Sequence, residues 1–285
     1  MNFKADLHCH TTCSDGSMTP KELLYHAKKC GLSALSITDH DTIQAYQEAL
    51  LVALELNIEM VSGVEFSSHY KNYSVHILGY AFSLDNKEID AFCSKHHERR
   101  NKRNLVILDK LAKRGMSITE DELIINPEMP PHSVGRPHIA QALLRKGYVR
   151  TIREAFNKYI GEGCPCYAEG EYFSAEETID YIHHSGGLAV IAHPHLIGDV
   201  SVIQALTSMN FDGIEVYYAR FSESEVAGWL RLAHSKNWLA TGGSDFHGSV
   251  KPNIALGSSW APEETFRVLQ AHYRRHKNNT LGALE

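Results

Sequence analysis

Two histidines near the start of the chain stand two residues apart, in the stretch Asp6-Leu7-His8-Cys9-His10. On a strand, the side chains of His8 and His10 point to the same face, because side chains alternate along a strand. Two imidazoles beside a carboxylate can begin a site for Zn, Mn, Fe or a similar ion. The pair alone fits a surface strand with two histidines equally well, so the rest of the chain must decide.

Residues of the same metal-binding types follow at the ends of later predicted strands. The nine candidates are His8, His10, Asp15, His40, Glu65, His76, His193, Asp245 and His247. Six imidazoles and three carboxylates are too many for one ion and suit two or three. Two ions about 3.5–4 Å apart can hold a hydroxide and stabilise both the attacking and the leaving oxygen of a phosphoryl transfer. Bound metal makes that hydroxide accessible near neutral pH, because it lowers the pKa of water.

The elements that would position these residues alternate between strands and helices over the first 86 residues. Alternating apolar residues over 3–7 predict a first strand, and a Thr-Pro start with a Gly end predicts a helix over 20–30. Further strands are predicted over 34–38, 60–64 and 74–80, and a further helix over 42–56. Such alternation indicates a parallel sheet or barrel, in which active sites lie at the carboxyl ends of the strands.

The segment 87–170 interrupts this alternation. A long charged helix is predicted from 86 to 114, and shorter helices follow over 119–125, 136–146 and 151–159. No convincing strand occurs among them. We therefore predict a barrel made of residues 1–86 and 171–285, with residues 87–170 inserted as a helical cap over its rim.

The alternation of strands and helices resumes after the insertion. Ser174 and Glu177 form a capping-box pattern for a helix that reaches residue 185. Strands are then predicted over 188–192, 213–217, 238–242 and 254–257, and helices over 223–236 and 262–272. The predicted fold class is α/β, without internal repeats or low-complexity segments.

Composition limits the class of protein. The chain has 285 residues, a net charge of −6 and 43% hydrophobic residues, which argues against a general nucleic-acid coat but allows a local basic pocket. Six cysteines without zinc-finger spacing indicate reduced thiols. Residues 1–6 leave no room for a signal peptide, and no apolar run is long enough for a membrane span. A cytoplasmic protein without a membrane partner is expected.

Six motifs, taken together, resemble the polymerase and histidinol phosphatase (PHP) family. They are Asp-Leu-His-Cys-His (6–10), Thr-Asp-His-Asp (38–41), Gly-Val-Glu (63–65), His76, Ala-His-Pro (192–194) and Gly-Ser-Asp-Phe-His (243–247). They occur in the family's order and cover nearly the whole chain. The resemblance implies a distorted (β/α)7 barrel with a trinuclear metal centre.

The resemblance also assigns ligands to ions. It puts His8, His10, Glu65 and Asp245 on one ion, Glu65 with His76 and His193 on a second, and Asp15, His40 and His247 on a third. Five of these residues are implied in catalysis: Asp15, Glu65, His193, Asp245 and His247. We expect two or three divalent ions, with Mn2+ preferred and Fe2+ or Zn2+ as alternatives, since histidine-rich sites bind several such metals.

The insertion is more similar to one subfamily, the nucleoside 3′,5′-bisphosphate phosphatases and the ribonuclease AM-like 5′→3′ exonucleases. The basic run 98–103 and Gly135-Arg136-Pro137-His138 carry this likeness. Arginine suits phosphate because its planar fork donates two hydrogen bonds at once. We therefore expect substrate phosphate to contact Arg99, Arg103, Arg136 and His138. In most proteins a basic run such as 98–103 is an ordinary solvated helix face. The sequence after His193-Pro194 departs from the subfamily, with His195-Leu196 in place of glycine and a basic residue.

The expected activity is hydrolysis of nucleoside 3′,5′-bisphosphates, short 5′-phosphorylated RNA, or both, without an obligate protein partner. One alternative is a histidinol-phosphatase-like phosphomonoesterase. Another is a metal-stabilised binding module without catalysis.

Around the site, Asp39 and Asp41 are each either partners of His40 or helix caps, and Asp6 is expected beside a ligand rather than as one. His195 is a candidate proton donor, and Tyr217 and Tyr218 are candidates for stacking on a base.

Overall fold

The computed structural model describes residues 3–124, 131–219 and 221–282, with side chains described as far as residue 275. The strands are β1 (Ala5–Asp6), β2 (Ala34–Leu35), β3 (Glu59–Met60), β4 (Gly63–Tyr70), β5 (Tyr73–Tyr80), β6 (Phe173–Ser174), β7 (Leu188–Ile191), β8 (Gly213–Tyr218) and β9 (Leu239–Gly243). The α-helices are α1 (Pro20–Lys29), α2 (Tyr46–Leu56), α3 (Lys87–Ala112), α4 (Arg136–Arg145), α5 (Ile152–Ala155), α6 (Ala175–His184), α7 (Val200–Leu206), α8 (Glu223–Lys236) and α9 (Glu263–Gly282).

The strands form two sheets that are hydrogen-bonded to each other. One sheet is parallel, in the order β1-β2-β3, and the other has the order β6-β4-β5-β7-β8-β9, with β5 antiparallel to both of its neighbours. The N–H of Leu7 donates to the carbonyl of Gly242, which joins β1 to β9, and His40 pairs with Glu65, which joins the end of β2 to β4. The predicted α/β class is confirmed. These bonds connect the two sheets into a ring of strands, and the barrel itself stays a prediction.

Local sequence explains where several helices begin. Thr19 accepts a hydrogen bond from the N–H of Glu22, while the carboxylate of Glu22 accepts from the N–H of Thr19, a reciprocal capping box. The predicted box at Ser174 is present in the same form at the start of α6, and Ser222 forms another at the start of α8. Polar residues thus satisfy the first N–H groups, and the apolar face of each helix packs on the sheets.

The inserted segment has a hydrophobic core of its own. Fifteen buried residues between Ile107 and Ala168 form this second core, separate from the main one. The first half of α3, however, belongs to the main core, where the ring of Phe92 lies 4.8 Å from that of Phe66 and 4.5 Å from that of Phe173. The helix that opens the predicted insertion therefore packs against both parts of the molecule.

The strand near Glu65 differs from its prediction. Instead of ending before Glu65, the strand over 60–64 is divided into β3 and β4, and Glu65 lies inside β4. Gly63 explains the close approach, because a Cβ at this position would lie 2.2 Å from the Oγ of Ser36 on the neighbouring chain segment. The break lets β3 pair with β2 and β4 pair with β5.

Four other predicted elements also differ. The strand predicted over 254–257 is wrong, because Ile254 and Ser258 donate to carbonyls three residues earlier and form turns. Helix α2 begins at Tyr46 instead of 42, and α7 was not predicted. Of the helix predicted over 119–125, one 3-10 turn is present at Asp121–Leu123, and residue 125 lies outside the described residues. The helix over 151–159 is α5 followed by a π-helical turn at Phe156–Ile160. Within the described ranges, none of the helices is long and apolar enough to cross a membrane.

Candidate metal centre

The nine predicted metal ligands lie together at one end of the ring of strands. Most follow the carboxyl end of a strand, which is where the backbone leaves the sheet and side chains converge. His8 and His10 follow β1, Asp15 lies in the next loop, His40 follows β2, His193 follows β7, and Asp245 and His247 follow β9, whereas Glu65 lies in β4 and His76 in β5. Eight of the nine side chains are less than 15% exposed, and His76 is 26% exposed.

Glu65 is at the centre of the cluster. Its Oε2 lies 3.2–3.3 Å from a ring nitrogen of three imidazoles, and its Oε1 lies 2.7–2.8 Å from two others. The three are His8, His10 and His40, and the two are His76 and His193. Burial alone would raise the pKa of Glu65, but the neighbouring imidazoles outweigh it and hold the pKa well below its usual range. Glu65 is therefore an ionised group that faces several nitrogen donors.

Asp245 and Asp15 extend the cluster on either side of His247. The Oδ1 of Asp245 lies 3.4 Å from both His10 Nε2 and His247 Nδ1. The Oδ1 of Asp15 lies 3.3 Å from the other nitrogen of His247, Nε2, and its Oδ2 lies 3.8 Å from His40 Nε2. Burial would raise the pKa values of both aspartates, but their charged neighbours hold both pKa values well below the usual range.

Three overlapping groups have ligand atoms within 4.8 Å of one another. They are His10-Asp15-His40-His247, His8-His10-Glu65 and His40-Glu65-His76. These groups overlap the three ligand sets that the family resemblance implies, and each shares a residue with the next. The structure thus brings all nine candidates together, and it adds that His10 and His40 stand between neighbouring groups.

The donor atoms fit metal ions. Several buried ring nitrogens have no hydrogen-bond partner in the described part of the chain: His8 Nε2, both nitrogens of His10, His40 Nδ1 and His193 Nδ1. Four of these nitrogens face a carboxylate oxygen of Glu65 or Asp15 at 3.2–3.7 Å without forming a hydrogen bond, and a metal ion would satisfy donors arranged in this way. Burial lowers the pKa of His40 to about 3, which keeps its imidazole neutral. Burial would also lower the pKa values of His8 and His10, but the neighbouring carboxylates raise both, that of His10 to about 9, so a metal bound there would displace a proton. Neutral imidazoles and ionised carboxylates are the donors that Mn, Fe and Zn share.

Two further buried aspartates hold the segments that carry ligands. Asp39 accepts hydrogen bonds from the N–H of Thr11 (2.7 Å), the hydroxyl of Thr11 (2.5 Å) and the hydroxyl of Ser14 (2.6 Å), which fixes the loop before Asp15. Asp6 accepts from the N–H and hydroxyl of Ser244, beside Asp245. Neither carboxylate is a helix cap. Asp39 and Asp6 therefore position ligands through the backbone.

A cavity of about 450 Å³ opens on one side of the cluster. Asp15, His40 and His76 contribute to its lining. The predicted insertion contributes three arginines, Arg100, Arg103 and Arg136, and Tyr167 to the other walls, and Tyr172, just beyond the insertion, completes them. Arg103 and Arg136 thus line a space beside the cluster, and their contact with substrate phosphate stays a prediction.

Two predicted phosphate contacts lie elsewhere. The guanidinium of Arg99 stacks on the ring of Phe173, 3.3 Å from its centroid, and does not line this cavity. The ring of His138 is buried, and its Nδ1 accepts a hydrogen bond from the N–H of Gly135 at the start of α4. His138 is therefore engaged in capping a helix, and Arg99 lines a smaller adjoining pocket together with Arg100 and Arg103.

Arg100, which was not among the predicted phosphate contacts, also lines the cavity. Its Nε and Nη2 lie 2.6 Å and 2.5 Å from Oδ2 of Asp41, and Nη2 donates to the Oγ of Ser67. Asp41 therefore anchors an arginine and does not cap a helix. The signal was helical spacing, since Arg100 and Arg103 are three residues apart and share a face.

Asp245 has two partners that the sequence did not identify. Its Oδ2 accepts hydrogen bonds from the hydroxyl of Tyr218 (2.9 Å) and from the ammonium of Lys251 (2.8 Å). Tyr218 is buried against His195 and Phe221, which argues against stacking on a base. The ring of His195 lies 6.5 Å from that of His193, outside the cluster.

Glu215 was also missed. It is fully buried in β8 and contacts His8 and the backbone of His193. Its signal was a glutamate within an otherwise apolar strand, Gly213–Tyr218, because a buried carboxylate requires a partner.

Known proteins are similar to this chain in sequence and in fold. The PHP domain family model matches residues 6–223. A 5′-3′ exoribonuclease from Haemophilus influenzae is 32% identical over 87% of this chain and 91% of its own, and a 3′,5′-nucleoside bisphosphate phosphatase from Chromobacterium violaceum is 30% identical over 85% and 86%. A crystal structure from Bifidobacterium adolescentis, assigned as a metal-dependent phosphoesterase, superposes with a TM-score of 0.85 at 29% identity over 95% of this chain and 96% of that one. The chain belongs to the PHP domain family.

Proposed function

We propose that this protein is a metal-dependent phosphoesterase that hydrolyses nucleoside 3′,5′-bisphosphates, trims short 5′-phosphorylated RNA from its 5′ end, or does both. The observation that carries the proposal is the cavity, which places three arginines opposite the metal-binding cluster. The names of the similar exoribonuclease and bisphosphate phosphatase support the same substrate class.

The arginines form a site for a phosphate group. Burial, together with the positive charges of Arg100 and Arg136, lowers the pKa of Arg103, so the three guanidinium groups are crowded enough to repel one another. A bound polyanion relieves that repulsion and accepts hydrogen bonds from the planar forks of Arg103 and Arg136, since Asp41 already engages Nε and Nη2 of Arg100. Arg136 is also the first residue of α4, where the helix dipole favours an anion.

One cavity can serve both substrates because they present the same two phosphates. In a 3′,5′-bisphosphate, and at the end of a 5′-phosphorylated RNA, two phosphorus atoms are separated by a single ribose. One phosphate would contact the arginines while the other reaches the cluster. A volume of about 450 Å³ lies within the usual range for small-molecule sites, about 300–1,000 Å³.

The protein groups around the scissile phosphate have separable tasks. Divalent ions, when bound, supply Lewis acidity and lower the pKa of water enough to provide a nucleophile near neutral pH. Glu65 holds neighbouring parts of the cluster together through its two oxygens. Lys251 and Tyr218 hold Asp245 through Oδ2, which leaves Oδ1 facing the imidazoles. We propose Mn2+ as the metal, with Fe2+ and Zn2+ as alternatives, since the donor set suits all three.

The setting of the activity is proposed on cysteine chemistry. All six cysteines are free thiols, as expected in a reducing compartment. We therefore propose a cytoplasmic enzyme that acts on a small phosphorylated nucleotide or short RNA without an obligate protein partner.

The test compares two substrates with Mn2+ supplied. Adenosine 3′,5′-bisphosphate is assayed for released phosphate, and a short 5′-phosphorylated RNA is assayed for released mononucleotides. Rapid hydrolysis of either supports the proposal, and their ratio distinguishes a phosphatase from an exoribonuclease. Faster hydrolysis of histidinol phosphate than of both nucleotides contradicts it, as does tight nucleotide binding without hydrolysis in any divalent metal.

The same assay can test whether the cavity is the binding site. Replacing Arg136 by methionine removes a guanidinium from the cavity wall, while Arg153→Met removes an exposed guanidinium from α5 and serves as the matched control. An equal effect of both variants on KM would show that general charge, rather than the cavity, attracts the substrate.

A further inference from the structure

Glu215 connects two predicted ligands that belong to different parts of the cluster. Its Oε1 lies 2.9 Å from Nδ1 of His8, and its Oε2 accepts a hydrogen bond of 2.7 Å from the backbone N–H of His193. The side chain is 0% exposed. Each oxygen of one buried carboxylate is thus used by a different ligand residue.

The contact with His8 determines which ring nitrogen carries the proton. An ionised carboxylate can only accept hydrogen bonds, so Nδ1 of His8 must donate to Oε1. The other nitrogen, Nε2, then presents a lone pair, and it points toward Glu65 with Oε2 3.3 Å away. A neutral imidazole binds a metal through the nitrogen without a proton, so this contact leaves Nε2 free to bind a metal.

The contact with His193 holds an unusual backbone conformation. His193 has φ +24° and ψ +63°, in a region that residues other than glycine seldom occupy. Its N–H is fixed by Oε2 of Glu215, and in this conformation Nε2 of its ring lies 2.8 Å from Glu65. Glu215 therefore helps to maintain the turn that directs His193 toward the cluster.

We propose that Glu215 is a positioning residue that prepares His8 and His193 for metal binding at the same time. It fixes the tautomer of one ligand and the backbone of the other. The inference rests on the metal centre of the proposed function but not on the identity of its substrate.

The variant Glu215→Gln separates these effects from simple packing. A glutamine has one acceptor oxygen and one NH2 group in nearly the same shape. The backbone N–H of His193 can only donate, so the amide oxygen must face it and the NH2 must face His8. That NH2 donates to Nδ1, which forces the His8 proton onto Nε2 and blocks metal binding there.

The experiment measures metal affinity of the full-length protein by competition with a chelator, first with Mn2+ and then with Zn2+. We expect Glu215→Gln to weaken binding by about 10–100-fold, the usual effect of losing such a partner. Asp212→Asn is the matched control, because Asp212 also accepts from a backbone N–H, that of Ala189, and contacts an imidazole, that of His183, outside the cluster. Unchanged affinity in Glu215→Gln, or equal losses in both variants, overturns the proposal.

A spectroscopic measurement covers the case in which Glu215→Gln does not fold. In the 15N-histidine-labelled wild-type protein with Zn2+, NMR assigned with a His8→Asn variant should show the His8 proton on Nδ1. A proton on Nε2 contradicts the proposal without any variant at Glu215. Neither readout involves hydrolysis, so failure of the proposed substrate assay and failure of this inference are separate outcomes.

Discussion

The metal-binding cluster and the cavity wall use polar residues in opposite ways. The cluster residues follow strand ends, where alternation and the sheet edge fix the direction of each side chain, and buried carboxylates such as Asp6 and Asp39 fix the backbone between them. The wall arginines come from helices, where one residue of displacement turns a side chain by about 100°. Positions in the first region follow from sequence motifs, whereas positions in the second depend on helix packing.

The largest expected effect follows from removing a ligand from the cluster. Asp245→Asn takes away a charge that faces His10 and His247, while the strands that surround it stay paired. Loss of about 4 kcal/mol of charge stabilisation corresponds to about a 10³-fold lower kcat. Phosphate release with Mn2+ measures the loss, and circular dichroism checks the fold. Wild-type turnover in a folded Asp245→Asn protein would contradict the assignment of the cluster.

The ion pair between Asp41 and Arg100 connects the two regions, and breaking it is expected to lower the free energy of unfolding. Asp41 is buried and anchors Arg100 of α3, so Asp41→Asn leaves a largely buried guanidinium without its carboxylate. Breaking such a pair costs about 3–5 kcal/mol at pH 7. Urea unfolding of both proteins measures the difference, and Asp109→Asn, at an exposed pair with Lys113, serves as a control with a change below about 1 kcal/mol.

Because the Asp41–Arg100 pair is ionised, its contribution to the free energy of unfolding should depend on pH, whereas that of a neutral core contact should not. Burial would raise the pKa of Asp41, but Arg100 and His96 hold it well below the usual value. Stability from this ionised carboxylate is complete above the unfolded-state pKa of about 3.9 and falls by about 1.4 kcal/mol per pH unit as the pH drops from there toward the folded pKa. The advantage of wild type over Asp41→Asn should therefore shrink between pH 4 and pH 3. A constant difference over that interval would argue against an ionised pair.

A moderate effect on KM is expected for Arg103, which lines the cavity, and a smaller one for Arg99 on the same helix. Arg103→Met removes a guanidinium that lines the cavity, and a lost charged hydrogen bond of about 1.5–3 kcal/mol raises KM by about 10–150-fold. Arg99→Met leaves KM for the bisphosphate within about threefold of wild type, because Arg99 stacks on Phe173. Steady-state kinetics with adenosine 3′,5′-bisphosphate distinguishes them. If Arg99→Met proves the more harmful to KM, the helix presents a different face to the substrate.

The smallest effect is expected at Gly135. A Cβ at this position would lie 2.7 Å from Nη1 of Arg100, so Gly135→Ala forces the guanidinium to shift while leaving Asp41 in place. We expect KM to rise by about 3–10-fold, equivalent to about 0.6–1.4 kcal/mol, with kcat little changed. Combining Gly135→Ala with Arg100→Met should remove the added effect. Additive losses would indicate that Gly135 acts on something other than Arg100.

The same contrast explains which residues of the site could be predicted from the sequence. Ligands such as His8 and Glu65 were predictable because a catalytic metal site requires N and O donors at strand ends, and the motifs occur in a recognisable order. Arg100 was not, because the basic run offers Arg99, Arg100 and Arg103 within two turns, and the helix phase is set by Phe92 and other core residues. The motif of His138 fits a helix cap as well as a phosphate contact, so the sequence alone did not distinguish the two roles.

Glu215 shows a different limit. Its strand has the hydrophobic pattern of a buried parallel strand, and the pattern indicates neither the depth of the carboxylate nor its two partners. The contact between residues 8 and 215 depends on the ring of strands, so it emerges only after the fold is known.

Helix α3 limits where residues can be inserted or deleted in this chain. It has 26 residues, its first half packs in the main core, its second half packs in the core of the insertion, and Arg100 and Arg103 lie between them. One residue gained or lost between Phe92 and Ile107 would rotate everything beyond that point by about 100° and move it about 1.5 Å along the axis. Such indels would displace one core or the other, together with the arginines. Length variation that preserves this active site is therefore confined to the segments after Ala112, where chain can be added without altering the phase of the helix.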